Sequence, residues 1–132
     1  FEKRKTKNGN EKRNMQNEKI IELAVASLED LKAKNIEIID VRDKSSVTDY
    51  MLVCSGTSKR HVMSIASKVE DELKESAVEA LSSEGHKGGD WVIVDFSDVV
   101  IHVLTEDARD LYDLEKLWRF DMQPEAIIKE SA

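Results

Sequence analysis

The sequence predicts a single α/β (α+β) domain, a mixed β-sheet of about five strands with flanking helices. Three observations predict it. Apolar residues recur at helical spacing in three separate segments, and runs rich in β-branched residues lie between them. A chain of 132 residues is also long enough to bury one core without metal or disulfide staples.

The elements follow in order. Residues 1–14, "FEKRKTKNGNEKRN", hold six Lys and Arg against two Glu, a net of +4. After Phe1 this leader has no apolar residue to bury, so it is expected to be flexible, with the domain proper starting at Met15. A first helix over 17–34 places Ile20, Ile21, Ala24, Leu28 and Leu31 on one side. "IEIIDV" (36–41) is a first strand. The polar "RDKSSVT" is short, so the next strand (49–54) returns antiparallel. A second helix over about 58–75 aligns Val62, Ile65, Ala66, Val69 and Leu73. "AVEAL" (77–81) reads as an edge strand and "SSEGHKGG" (82–89) as a loop.

"DWVIVDFSDVVIHVL" (90–104) reads as a hairpin turning at Ser97-Asp98. Phe96 then pairs with Val99, Val94 with Ile101, and Val92 with Val103, all on one apolar face that must be core. The other face pairs Trp91 with Leu104, Ile93 with His102, and Asp95 with Val100, a mixture of apolar, charged and aromatic groups. A third helix over about 106–118 follows Thr105, gathering Leu111, Leu114, Leu117 and Trp118, with Tyr112 on a different side beside Glu115. The stretch 119–132, which holds the sole proline, reads as a loosely attached tail. The order is α-β-β-α-β-β-β-α, without internal repeats.

Charge and cysteine usage narrow the class. Beyond residue 14 the chain carries 14 basic and 25 acidic residues, a net of −11. Such a body cannot coat a phosphate backbone, so direct sequence-specific binding of nucleic acid is not expected, and a basic protein surface is the better partner. The single Cys54 cannot make an internal disulfide, which suits a reducing, cytoplasmic setting. No apolar run approaches a membrane span, and no signal-peptide core is present.

The stretch "CSGTS" (54–58), between a strand and a helix, has the order of a phosphate cradle. It lacks both G-x-x-x-x-G-K-[ST] and G-x-G-x-x-G, and the carboxylates that could pair for a metal point apart: Glu70 and Asp71 on different sides of a helix, Asp90 and Asp95 on opposite sheet faces. Thr57 or Ser58 reads instead as a helix cap. Cys54 is either a small buried hydrophobe or a nucleophile beside His61 or His102. The three histidines show no metal spacing; His61 is read as a solvated polar residue. His102 is either a half-buried sheet residue or a polar contact on the mixed face. Trp91 is either core or the anchor of an interface, the latter favoured by nearby Asp95 and His102, whose burial without partners would be costly. Catalytic residues, metal and cofactor are accordingly expected to be none.

From Met15 to Trp118 the chain resembles the ribosomal silencing factor (Iojap-type) family. The resemblance lies in "DVRDKSSVTDYMLVCSGTSKRHVMSIA" (40–66), "EGHKGGDWVIVDFSDVVIHV" (84–103) and "RDLYDLEKLW" (109–118). Departures are the first 14 residues, the tail after Trp118, and Ser97, where the family usually has glycine. The resemblance implies a nucleotidyltransferase-like fold without the catalytic acids. It implies binding to the large ribosomal subunit through its fourteenth protein, a basic protein, so that small-subunit joining is blocked and translation lowered, notably in starvation. Organellar relatives act in large-subunit assembly. Together with the mixed sheet face, this makes Trp91, Ile93, Asp95, His102 and Leu104, flanked by Tyr112 and Glu115, the expected partner-binding residues. The same face could support a homodimer. The alternatives are an assembly factor or adaptor and, from a different class, a nucleotide-binding enzyme using Gly56-Thr57-Ser58.

Overall fold

A computed structural model describes residues 7–85 and 88–113. Its elements are α1 (Lys7–Asp30), β1 (Lys34–Asp40), β2 (Tyr50–Gly56), α2 (Lys59–Glu75), β3 (Ser82–Glu84), β4 (Trp91–Asp95), β5 (Val99–Thr105) and α3 (Glu106–Tyr112). The five strands form one sheet in the order β1-β2-β5-β4-β3. The β2–β5 pair is parallel, with Gly56 opposite Thr105, and the other neighbours are antiparallel. Hence the sheet is mixed, as expected.

Alternation along the strands separates two faces. Leu52 and Cys54 of β2, Val92 and Val94 of β4, and Val99, Ile101 and Val103 of β5 form the first. There they meet Ile20, Ala24 and Leu28 of α1 and Val62, Ile65, Ala66, Val69 and Leu73 of α2 in the main core. Met51 and Val53 of β2 and Leu104 of β5 turn to the second face, where they cluster with Val41 and with Ala108 of α3. Gly56 lets β2 run into α2 at close range: a Cβ there would lie 2.9 Å from Val62 Cγ2.

The hairpin register is the expected one, from Trp91 opposite Leu104 to Asp95 opposite Val100. Ser97 accepts the conformation that glycine favours, at φ 75°. Its backbone N–H donates to Asp95 Oδ1 at 2.7 Å, which steadies the turn.

Three expectations are corrected. The first helix starts at Lys7 and ends at Asp30, so the second half of the basic leader is helical. A tertiary tie holds its root: the Arg13 guanidinium donates twice to Asp98, at 3.1 and 2.7 Å, and to Asp49 at 3.2 Å, while Asn17 donates to Asp49 at 3.1 Å. The edge strand lies at Ser82–Glu84, inside the segment read as loop, because Ser82 pairs with Asp95 and Ser83 with Val94. Residues 77–81 form the approach to it, with Ala77 at φ 65° just past α2. Thirdly, Leu111 does not face a core; it is 76% exposed. The expected helix positions Leu114, Leu117 and Trp118, with Glu115 and the 119–132 tail, lie outside the described residues. Among those described, no helix is long and apolar enough to cross a membrane.

Candidate docking face

Trp91, Ile93 and Asp95 alternate along β4 onto the second sheet face, and all three are partly buried. Near the edge of the sheet this face is open enough for a neighbour to reach them. His102 and Leu104, from β5 one strand further in, are not: they are 3% and 0% exposed. The expected patch is thus split into a surface row on β4 and a buried layer on β5. The reason lies in α3, which crosses this face at the end of β5 and brings Ala108 into the cluster containing Leu104.

The buried layer supports the surface row. Trp91 Nε1–H donates to His102 Nδ1 at 2.9 Å. This accounts for a polar group within an apolar layer, since burial of an unpaired imidazole would be costly. Desolvation drives the His102 pKa down to about 3, so the ring is neutral at physiological pH. A neutral ring that accepts at Nδ1 carries its proton on Nε2. Tyr112 of α3 also packs on the indole, with ring centroids 4.6 Å apart and planes tilted by 43°. Such offset aromatic pairs contribute about 0.5–1.5 kcal/mol beyond their buried area. The indole is therefore gripped on one edge by His102 and on one face by Tyr112, while remaining partly open. Gly85 permits the close approach of the preceding loop, because a Cβ at its φ of 96° would collide with the Trp91 carbonyl oxygen.

Two features beside this face were not anticipated. Arg109 of α3 reaches across to β2, donating to Ser55 Oγ at 3.1 Å and to the Lys34 carbonyl at 3.4 Å. It clamps α3 against the sheet. Sequence reading missed it because Arg109 and Ser55 are far apart in the chain. The second is a cleft of about 600 Å³ where parallel β2 and β5 end, lined by Thr57, Ser58 and Lys59 on one side and by Thr105, Asp107, Leu111 and Tyr112 on another. Its signal in the sequence, Leu111, was read as core.

The Gly56-Thr57-Ser58 turn is closed by its own hydrogen bonds. Ser58 Oγ accepts from His61 N at 3.0 Å and caps α2. The Thr57 N–H donates to His61 Nδ1 at 2.8 Å, and His61 Nε2 faces the Leu31 carbonyl at 2.7 Å. His61 therefore bolts the turn to the end of α1 instead of being a plain solvated residue, and the capping reading of Ser58 holds. Cys54 is fully buried, and burial pushes its thiol up to about 12, so at neutral pH it is a protonated, inert hydrophobe. Among the described residues no group of three or more His, Cys, Asp or Glu is placed to hold a metal ion.

The chain is similar to proteins of known name. A ribosomal silencing factor of Chromobacterium violaceum is 43% identical over 104 residues, covering 79% of this chain and 85% of the relative. A crystal structure of a Chromobacterium violaceum protein superposes with a TM-score of 0.76 at 42% identity, covering 80% of this chain and 87% of that one. More distantly, the mouse protein named mitochondrial assembly of ribosomal large subunit protein 1 is 35% identical over 117 residues, which cover 84% of this chain and 51% of the relative. Residues 14–131 match the family described as "Ribosomal silencing factor during starvation", and the chain belongs to that family.

Proposed function

We propose that this protein docks in the cytoplasm on the large ribosomal subunit, through the subunit's fourteenth protein, and represses translation by blocking access of the small subunit. One observation carries the choice of face: a tryptophan held in a fixed pose by His102 and Tyr112, yet partly open, on an otherwise acidic body. Rigid aromatic anchors of this kind dominate interface energetics. The names of the bacterial relatives support the ribosomal setting.

The mechanism is steric competition, without covalent chemistry. A ligand that binds only the free large subunit disfavours joining by RT ln(1 + [L]/Kd), about 2.7 kcal/mol at a hundredfold excess over Kd. Trp91 supplies desolvated contact area and Ile93 extends it. The carboxylate of Asp95, and that of Glu115, meets Lys or Arg of the basic partner, adding orientation and association rate. His102 and Leu104 act from beneath, by holding the indole and the floor of the patch. The same face serves a second reading, assembly of the large subunit, which the name of the mouse relative favours. It could also pair with a second copy of the chain, in competition with the ribosome.

A subunit-joining assay resolved on sucrose gradients tests the proposal. The wild-type protein should shift paired ribosomes to free subunits and migrate with the large one. Trp91→Ala should fold yet bind about thirtyfold more weakly, a loss of about 2 kcal/mol. Normal migration of that variant with large subunits would show the face to be misplaced.

A further inference from the structure

Arg109 and Tyr112 stand three positions apart on α3, so they are neighbours on one side of the helix. Both reach a single cross-strand row of the sheet. In that row Lys34 of β1 lies opposite Ser55 of β2, Ser55 opposite Leu104 of β5, and Leu104 opposite Trp91 of β4. At one end Arg109 Nη1 donates to Ser55 Oγ at 3.1 Å and to the Lys34 carbonyl at 3.4 Å. At the other end Tyr112 packs on Trp91, and between them Ala108 joins the cluster that contains Leu104. The short helix is thus fastened by hydrogen bonds on the β1–β2 side and by a ring contact at β4.

Seven helical residues make too few internal hydrogen bonds to persist alone, so the placement of α3 is set by what it touches. Ala108 brings one methyl group to the buried cluster, which holds the helix against the sheet without fixing its rotation. Arg109 can fix it. Its side chain is 11% exposed and Ser55 is buried, so water competes little for these bonds, and a charged donor makes them strong. The Glu37 carboxylate, 4.0 Å away and half exposed, adds less. We infer that Arg109 is a positioning residue for the docking tryptophan: anchored over Ser55 and Lys34, it holds Tyr112 on the indole of Trp91. This rests on the docking reading above and deepens it, since the pose of Trp91 then depends on a side chain anchored two strands away.

Two measurements on the full chain decide it. In the first, isotope-labelled protein reports on the Trp91 indole, whose resonances are assigned by their loss in Trp91→Phe. Arg109→Met keeps an unbranched stem and removes the donors. The indole N–H should stay bonded to His102 and slow to exchange, because both residues belong to the sheet. The ring protons should lose the shift that the Tyr112 ring imposes and move to their positions in Tyr112→Leu. If Arg109→Met does not fold, Ser55→Ala takes its place, with a smaller movement in the same direction. Ring protons that keep their wild-type positions overturn the inference, whatever the change in melting temperature. In the second, large-subunit binding is compared among Arg109→Met, Tyr112→Leu and the double variant. Each single change should weaken binding about fivefold, and the double variant no further, because both remove the same contact. Losses that multiply, to about twenty-five-fold, would show that Arg109 acts independently of Tyr112 and overturn the inference. If the wild-type protein fails to bind the large subunit, the docking reading falls while the indole resonances still judge the positioning.

Discussion

The two faces of the sheet are built from the same strands and differ by one residue of register, yet they have opposite characters. On the first face Val92 and Val94 of β4 and Val99, Ile101 and Val103 of β5 are all aliphatic, and two helices seal it. On the second, Trp91, Ile93 and Asp95 remain partly open while His102 and Leu104 are covered. Sealing by long helices makes the first face a source of stability. Partial cover by the seven-residue α3 leaves the second with an edge that a partner can complete. A side-chain hydrogen bond from Trp91 to His102 adds to the backbone ladder between the open row and the covered one, so a polar residue is tolerated in a buried layer because it holds a partly open neighbour.

Substitutions should separate the faces. The largest effect on stability is expected from Ile101→Ala on the sealed face, a loss of about 2–5 kcal/mol in urea unfolding, since a cavity there has no solvent to fill it. Ribosome binding of whatever fraction remains folded should be unchanged. Trp91→Ala should differ in binding: its folded fraction should bind about 2 kcal/mol more weakly, alongside a loss of stability from the unpaired His102 Nδ1. If the two variants lost stability and binding in the same proportion, the distinction between the faces would collapse.

The third prediction concerns pH. His102 holds its folded pKa near 3, far below the ordinary value of about 6.5. Between those values the unfolded chain takes up a proton that the folded one refuses, so stability falls as pH drops below about 6.5. The slope approaches about 1.4 kcal/mol per pH unit, which amounts to about 1–2 kcal/mol between pH 6.5 and 5. Melting curves of His102→Gln should lack that part of the decline. A variant that parallels the wild-type protein across this window would show that the imidazole is not held neutral. The smallest effect is at the hairpin turn they share: Ser97→Gly should relieve a positive φ and raise stability by about 0.5–1 kcal/mol without changing binding.

How much of this was legible in the sequence depended on the range of the interaction. The hairpin register followed from alternation within fifteen residues, and the cap at Ser58 from a side chain three residues before its donor. Features set by distant partners did not. The tie that holds the first part of α1 to the sheet runs from Arg13 to Asp98, 85 positions away, and the turn at Thr57 depends on His61 reaching Leu31, 30 positions away. The edge strand was misplaced because "SSE" has little β propensity of its own and is recruited by the free edge of β4.

For the candidate site the division is the same. By itself the sequence determined which residues share a face, because successive side chains on a strand must alternate, and it determined the acidic balance that favours a basic partner. Only the tertiary structure decided which of Trp91, Ile93, Asp95, His102 and Leu104 lie at the surface. That depends on where a short helix crosses the sheet, and exposure is a property of what covers a residue and not of the residue.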